Sequence, residues 1–377
     1  MEPVASYYKF NETGAFSVDW YIGKRCNFNC SYCVDYLHDY TSPHMPLSNM
    51  KYLVDILTKK HNDNILWSLS GGEPTIHPQF LDLCLYIKQS GSKYLSVTTN
   101  GSRTLDYHKQ MYQSVDGITM SFHFEFLHKR IDEYIKKCIA LDDYRIELNT
   151  QGANPKKTLI LRFMVETGEL DNIKRMEKAF RDHGITNIEH RYIRKPSENK
   201  GKGMQPTEKF EFKDDKDPNQ ITNKKQISKI ENNERNFYEK EELDELKLIY
   251  KSTVSEDKRK LKFWFKKDNG TYIDEDFHYN ELNFDRKSNF QNWLCWAGLK
   301  HIKITPTGDV YIGSCHVGGL RGNLFNVDDI DLPIEPIICN KWRCTDNTDL
   351  KVPKIKNMEH YHLIKPMIEY EKNKNNK

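Results

Sequence analysis

Between residues 16 and 193 the chain alternates short apolar runs with amphipathic ones. Runs rich in β-branched and aromatic residues predict strands over 17–22, 65–70, 94–98, 117–122, 158–165 and 188–193. Between them the apolar residues recur at helical spacing. Residues 47–60 carry Met50, Leu53, Val54, Ile56 and Leu57, with Ser48 as the expected N-cap. Residues 78–89 carry Phe80, Leu81, Cys84, Leu85 and Ile87, and Gly91 is the stop signal. Residues 128–141 carry Ile131, Ile135, Cys138 and Ile139, and a fourth helix over 170–183 ends at Gly184. Strand followed by helix, repeated in this way, predicts an α/β fold with a parallel sheet or incomplete barrel. Active groups in such folds gather on the loops leaving the C-terminal ends of the strands.

Beyond residue 195 the pattern changes. Lys, Asp, Glu and Asn dominate 196–236, which reads as linker, and 237–290 reads as a bridging module. Within that module, 241–251 predicts a short helix and 261–265 a strand, turned by Asp268-Asn269-Gly270 into Thr271-Tyr272-Ile273. From Trp293 the chain is rich in Cys and Gly, and 302–312 predicts a hairpin turning at Thr307-Gly308 or Gly308-Asp309. The expected division is an N-terminal segment 1–15, a barrel 16–195, a charged linker and bridging module 196–290, a Cys-rich unit 291–345, and a polar tail 346–377 with a docked helix before its end.

Charge narrows the partners. The 57 basic and 54 acidic residues give a net +3, which is no footprint for nucleic acid. Phe263-Trp264-Phe265 interleaves with lysines, a pattern that fits one face of an ordinary strand better than base stacking. No run approaches ~18 apolar residues, and Met1-Glu2-Pro3 opens no export signal, so the expectation is a cytoplasmic chain with no membrane contact.

Nine cysteines, an odd number, fit poorly with a closed disulfide framework. Cys26, Cys30 and Cys33 form one group, and Cys295, Cys315, Cys339 and Cys344 another. Cys84 and Cys138 fall on apolar helix faces and read as small buried hydrophobes. The first group lies in Lys24-Arg25-Cys26-Asn27-Phe28-Asn29-Cys30-Ser31-Tyr32-Cys33, directly after the first strand. Three thiolates can hold three irons of a cubane cluster and leave the fourth open, whereas a structural zinc site requires a fourth ligand that is missing locally.

The CxxxCxxC loop, with Tyr32 before its last cysteine, resembles that of the radical S-adenosylmethionine (radical SAM) enzyme superfamily. Further signatures follow in order at successive strand ends. Ser70-Gly71-Gly72-Glu73-Pro74-Thr75 resembles the GGEP motif, Thr98-Thr99-Asn100-Gly101 the TNG motif, and in Ser121-Phe122-His123-Phe124-Glu125 the Ser and His suit ribose or carboxylate contacts. The resemblance covers about residues 16–195 and implies a partial (β/α)6 TIM-like barrel. It implies a 4Fe–4S cluster on Cys26, Cys30 and Cys33, whose open iron binds S-adenosylmethionine. Reductive cleavage then yields methionine and a 5′-deoxyadenosyl radical that abstracts a substrate hydrogen. The implied cofactor-binding residues are Tyr32, Gly71, Gly72, Glu73, Pro74, Thr99, Asn100, Ser121 and His123. Glycine backbone would approach the cofactor closely, and Glu73 would accept hydrogen bonds from its amino group. Arg162, a charge inside an apolar strand, would pair with the cofactor carboxylate if it points inward, or form an ordinary ion pair at the rim. His190, Arg191 and Arg194 raise the same question. An electron donor such as a flavodoxin or ferredoxin is implied as partner.

The second group, with Trp296-Ala297-Gly298 and Thr307-Gly308-Asp309-Val310 between its members, resembles the SPASM/twitch auxiliary-cluster extension, a smaller C-terminal α+β iron–sulfur domain. Six residues, rather than four, separate Gly308 from Cys315, and too few cysteines remain for two auxiliary clusters. Cys295, Cys315, Cys339 and Cys344 are the expected ligands of one 4Fe–4S cluster, with a four-thiolate zinc site as the alternative; His316 reads as a surface-loop histidine and becomes a ligand only if one Cys is unused. The expected substrate is a peptide or protein side chain. The alternative is a sugar, nucleoside or other small metabolite, and a more distant one is a non-catalytic metal-stabilised binding protein.

Overall fold

A computed structural model describes residues 2–8, 15–33, 38–62, 64–127, 129–166, 168–192, 260–278, 282, 288–324, 330–341, 344 and 347–368. The expected linker 196–236, the helix over 241–251 and Arg194 lie outside them.

All six expected strands of the barrel half form and pair in parallel. They are β2 (Phe16–Tyr21), β3 (Ile65–Ser70), β4 (Tyr94–Thr99), β5 (Gly117–Phe122), β6 (Thr158–Val165) and β7 (Ile188–Tyr192), adjacent in that order. The helices between them are α1 (Leu47–His61), α2 (Phe80–Gln89), α3 (Leu105–Met111), α4 (Phe124–Leu127), α5 (Ile131–Thr150) and α6 (Leu170–Asp182). Helix α5 runs past the expected end at 141 because Tyr144 and Leu148 extend its core-packed stripe. Ser48 is not the cap of α1. Pro46 takes that position without a side-chain hydrogen bond, because proline locks the φ of −59° that this extended entry requires.

Side-chain alternation orients the sheet. Phe163 on β6 packs against Phe180 of α6, with ring centroids 6.3 Å apart, so its parity faces the helices. Register carries that parity to Phe122, Val97, Leu69 and Trp20, all buried. The opposite parity, including Asp19, Ser68, Ser96, Thr119, Ser121, Arg162 and Glu189, faces the barrel interior. At the N-terminal ends of the strands, buried Asp116 pairs with Lys88 at 2.9 Å and Lys157 at 3.3 Å and accepts Leu95 N–H at 3.0 Å. A buried carboxylate satisfied in this way locks the floor of the barrel.

The C-terminal chain contributes to two sheets. β11 (His301–Ile304) pairs in parallel with β2, and β12 (Asp309–Tyr311) and β13 (Leu320–Asn323) follow antiparallel, completing nine strands. The expected hairpin over 302–312 is therefore present, with Gly308 at φ +85° in its turn. A second sheet runs β14 (Ile337–Ile338), β10 (Leu294–Cys295), β15 (Lys354–Ile355), β1 (Glu2–Tyr8), β8 (Lys260–Lys266), β9 (Tyr272–His278). Its central strand β1 comes from the N-terminal segment, and β8–β9 is the expected hairpin around Asn269-Gly270. α7 (Asn347–Lys351) precedes β15, and α8 (Tyr361–Ile368) docks through Leu363, Ile364 and Met367. Among the described residues no helix is long and apolar enough to cross a membrane.

Candidate active site

The loop after β2 is held by the turn after β3. Gly72 N–H donates to Gly23 O and Glu73 N–H to Arg25 O, each at 2.9 Å. A Cβ on Gly72 would stand 2.2 Å from Lys24 O, and Gly71 sits at φ +144°. The two glycines therefore admit the backbone of the cysteine loop itself.

Glu73 is 2% exposed. Its Oε1 accepts Thr75 N–H at 3.0 Å, Thr75 Oγ1–H at 2.6 Å and Thr99 Oγ1–H at 2.7 Å, while Oε2 accepts Asn100 N–H at 2.6 Å. Burial pushes its carboxyl upward and these donors oppose the shift. Four protein donors thus meet the carboxylate expected to receive a cofactor amine, and it staples the end of β3 to the end of β4. Pro74 opens a buried 3-10 turn, Pro74–Ile76, inside this staple. Asn100 Nδ2 reaches Asn27 Oδ1 at 2.9 Å, tying the TNG segment to the cysteine loop.

A second clamp comes from β5 and β6. Tyr32 Oη donates to Glu166 Oε1 at 3.0 Å and lies 2.7 Å from His123 Nδ1. Burial pushes His123 down to about 4, so its ring is neutral near pH 7. A phenol has one proton, and donating it to Glu166 leaves its oxygen as acceptor; His123 is therefore the Nδ1–H tautomer. Glu166 also accepts Phe124 N–H at 2.7 Å and Glu125 N–H at 3.0 Å. Glu125 in turn accepts Ser31 N–H at 2.8 Å and the Ser31 hydroxyl. Cys30 Sγ lies 3.4 Å from His123 Nδ1, and Cys26 Sγ accepts Phe28 N–H at 3.3 Å. Burial pushes Cys26 up to about 11 and Cys30 to about 12, so loading a metal here releases protons.

The sequence motifs assign no role to Glu125 or Asn27 and do not include Glu166. Glu166 carried a usable signal, a carboxylate immediately beyond a strand's C-terminal end.

Ser121, Arg162 and Glu189 stand side by side on β5, β6 and β7, all facing inward. Arg162 thus takes the inward orientation and holds a carboxylate of the protein, Glu189 Oε2, at 2.9 Å from its Nε. His190 has the outward parity, stacks on Phe163 and meets Glu177 of α6 at 3.0 Å, so it does not enter the barrel. Arg191 shares the inward parity of Glu189.

The second cysteine group converges. Cys295, Cys315, Cys339 and Cys344 line one cavity with Asp349, Lys354, Lys341, Ala297, Val317 and Val352. Cys295 comes from β10, and Cys339 N–H is tied to Trp293 O at 2.8 Å. Cys344 N–H is tied to Ser288 O at 2.9 Å. Asp349 accepts Ser314 N–H at 2.7 Å and Cys315 N–H at 2.6 Å, which sets the fourth thiol. His316 stacks on Tyr311 and does not line the cavity. Among the described residues no three His, Cys, Asp or Glu side chains approach one point closely enough to hold a single metal ion. Ligands of a cubane stand one per iron, farther apart than ligands of one ion. Four thiols around one cavity fit a group with four thiolate ligands, and three thiols at the strand ends fit a cluster with an open iron.

Residues 20–202 match the family model described as the radical SAM superfamily. This segment is a radical SAM domain. The radical SAM segment spans all of β3–β7 and the cysteine loop, with only the first residues of β2 before it. Over 108 residues the chain is 32% identical to an S-adenosylmethionine-dependent nucleotide dehydratase of a Thermoplasmatales archaeon (strain ISO4-H5), covering 28% of this chain and 37% of that protein. Over 194 residues it is 25% identical to a probable GTP 3′,8-cyclase of Saccharolobus islandicus, covering 46% and 62% respectively. The chain thus spans little more than a third of the length of the first of these relatives. A solved structure, native anSMEcpe with bound AdoMet and Kp18Cys peptide, is 13% identical at a TM-score of 0.45, over 84% of this chain and 79% of that one.

Proposed function

We propose that this chain is a radical SAM enzyme that binds S-adenosylmethionine over the Cys26–Cys30–Cys33 loop and acts on a small polar substrate of the nucleoside or nucleotide class. The observation that carries the reading is the double clamp on that loop: Glu73, Thr99 and Asn100 on one side, and Tyr32, His123 and Glu166 on the other. Cys26, Cys30 and Cys33 would hold a 4Fe–4S cluster, which when bound would bind S-adenosylmethionine and supply the electron for its reductive cleavage. The chain's own residues hold the loop at the strand ends, orient His123 through Tyr32, and leave Ser121 and the Arg162–Glu189 pair facing the interior for polar contacts.

Two observations support the substrate class. The interior-facing parity carries Asp19, Ser68, Ser96, Thr119 and the Arg162–Glu189 pair, a polar lining suited to hydroxyl groups. Two relatives are named for reactions on nucleotides. A second reading, modification of a peptide side chain, rests on the four-cysteine cavity and its likeness to an auxiliary-cluster extension. In both readings Cys295, Cys315, Cys339 and Cys344 hold an auxiliary 4Fe–4S cluster, and a flavodoxin or ferredoxin supplies electrons.

The test is anaerobic reconstitution with S-adenosylmethionine and dithionite, with Cys30→Ala as control. Deuterium transfer from ribose-deuterated nucleotides into 5′-deoxyadenosine supports the first reading. Transfer only from a deuterated peptide moves the assignment to the second. Absence of 5′-deoxyadenosine under every condition overturns both.

A further inference from the structure

Lys354 lies 2% exposed among apolar side chains, which is an expensive place for an ammonium. It is the cross-strand partner of Cys295 in the β10–β15 pair, so the two side chains project from the same face of the second sheet. Its Nζ donates to the backbone carbonyls of Asp349 and Val352, the latter at 2.9 Å, and stands 5.0 Å from the centre of the Phe290 ring. Two of three N–H donors are thereby engaged by neutral oxygens. The carboxylate that shares the cavity, Asp349, is directed to the N–H groups of Ser314 and Cys315.

We propose that Lys354 is the potential-setting residue of the four-cysteine site, a fixed cation that stabilises the reduced state of a cluster bound there. The inference rests on the auxiliary-cluster reading above. A cluster on four thiolates is a buried anion, and reduction adds a further negative charge in a low-dielectric surrounding. A cation lining the same cavity lowers the energy of the reduced form more than that of the oxidised form. The carbonyl bonds and the β10–β15 register prevent the ammonium from withdrawing to solvent. Cluster potential depends on net charge, hydrogen bonding and exposure, and Lys354 acts through the first of these.

The experiment uses the full chain with Cys26, Cys30 and Cys33 changed to Ala, so that only the C-terminal site binds iron. After anaerobic reconstitution, iron and sulfide are counted and the midpoint is measured by a potentiometric titration followed by absorbance and electron paramagnetic resonance. Lys354→Gln keeps an N–H donor for the carbonyls and removes the charge; Lys354→Arg keeps the charge. The expected result is a more negative midpoint for Lys354→Gln and a midpoint near the parent for Lys354→Arg. Loss of iron in Lys354→Gln with retention in Lys354→Arg assigns the cation to cluster retention instead and overturns the potential-setting role. An unchanged midpoint in Lys354→Gln, or loss of iron in both variants, overturns the proposal. A parent chain that binds zinc, or no iron, overturns the auxiliary-cluster reading on which it stands.

Discussion

Tyr32 donates its phenolic proton to Glu166 Oε1 at 3.0 Å, joining residues 134 positions apart. The bond fastens the last turn of the CxxxCxxC loop to the rim of β6, because the same carboxylate is anchored by the N–H groups of Phe124 and Glu125. Tyr32→Phe and Glu166→Gln should therefore be coupled. A double-mutant cycle on denaturant unfolding is expected to show an interaction of about 1 kcal/mol, and independent effects would remove the clamp from the account. Both variants should also lose iron from the first site faster on dilution than the parent.

Gly72→Ala tests why that position is glycine. Its Cβ would meet Lys24 O at 2.2 Å and Arg25 O at 2.5 Å, both backbone atoms with no freedom to turn away. The expected result is failure of Cys26, Cys30 and Cys33 to hold iron, with the C-terminal site still loaded. Iron near the parent's content would show that the loop relaxes.

Glu73→Gln replaces an acceptor for four donors by an amide with one acceptor oxygen. Whichever way the amide turns, at least one buried donor loses its partner and faces another donor. A loss of roughly 1–3 kcal/mol of stability is expected from urea titration, together with weakened S-adenosylmethionine binding by calorimetry. Stability equal to the parent would contradict the staple.

His108 makes stability depend on pH. It is fully buried, donates Nδ1–H to Thr104 O at 2.7 Å, and burial pushes it down to about 4. An unfolded histidine titrates near 6.5, so between about 6.5 and 4 the unfolded chain binds the proton and the folded one does not. The contribution is fully present above about 6.5 and is lost as the pH falls toward about 4, amounting to roughly 3 kcal/mol at most. Asn at 108 retains a donor for Thr104 and no titrating group. Thermal unfolding of His108→Asn should fall less steeply over that window, and parallel curves would assign the dependence to other groups.

Asp349→Ala should empty the C-terminal site selectively. The carboxylate fixes the N–H groups of Ser314 and Cys315, and without it the Cys315 turn loses both anchors. Iron is expected to fall from about eight to about four per chain. Retention of about eight would show that the thiols alone fix the turn.

Much of the barrel was legible in the sequence, for a physical reason that residue alternation makes plain. Strands covered on the outside by helices must carry unbroken outward rows such as Trp67 and Leu69 on β3, and the helices must carry matching stripes such as Ile173, Met176 and Phe180 on α6. These are local periods, readable without partners. Helix α3 carries only a weak period, because Leu105, His108 and Met111 alone mark its inner face and one of the three is a histidine. The motif residues were legible as a set, since each group lies at the C-terminal end of a strand or in the loop that leaves it. Their contacts within the protein needed the fold: Gly71 and Gly72 admit the backbone of the cysteine loop, Glu73 accepts from Thr75, Thr99 and Asn100, and Glu166, which has no motif, closes the second clamp.

The order of six parallel strands, the three-cysteine loop after the first of them and the four further cysteines are properties of the sequence alone, because spacing and periodicity are local. Tertiary structure decided the rest. It placed β1 at the centre of a second sheet, carried β11 across to β2, and gathered Cys295, Cys315, Cys339 and Cys344 around one cavity. It also buried Lys354 beside them. Pairing between distant strands depends on the free energy of the whole core, which no local window of sequence contains.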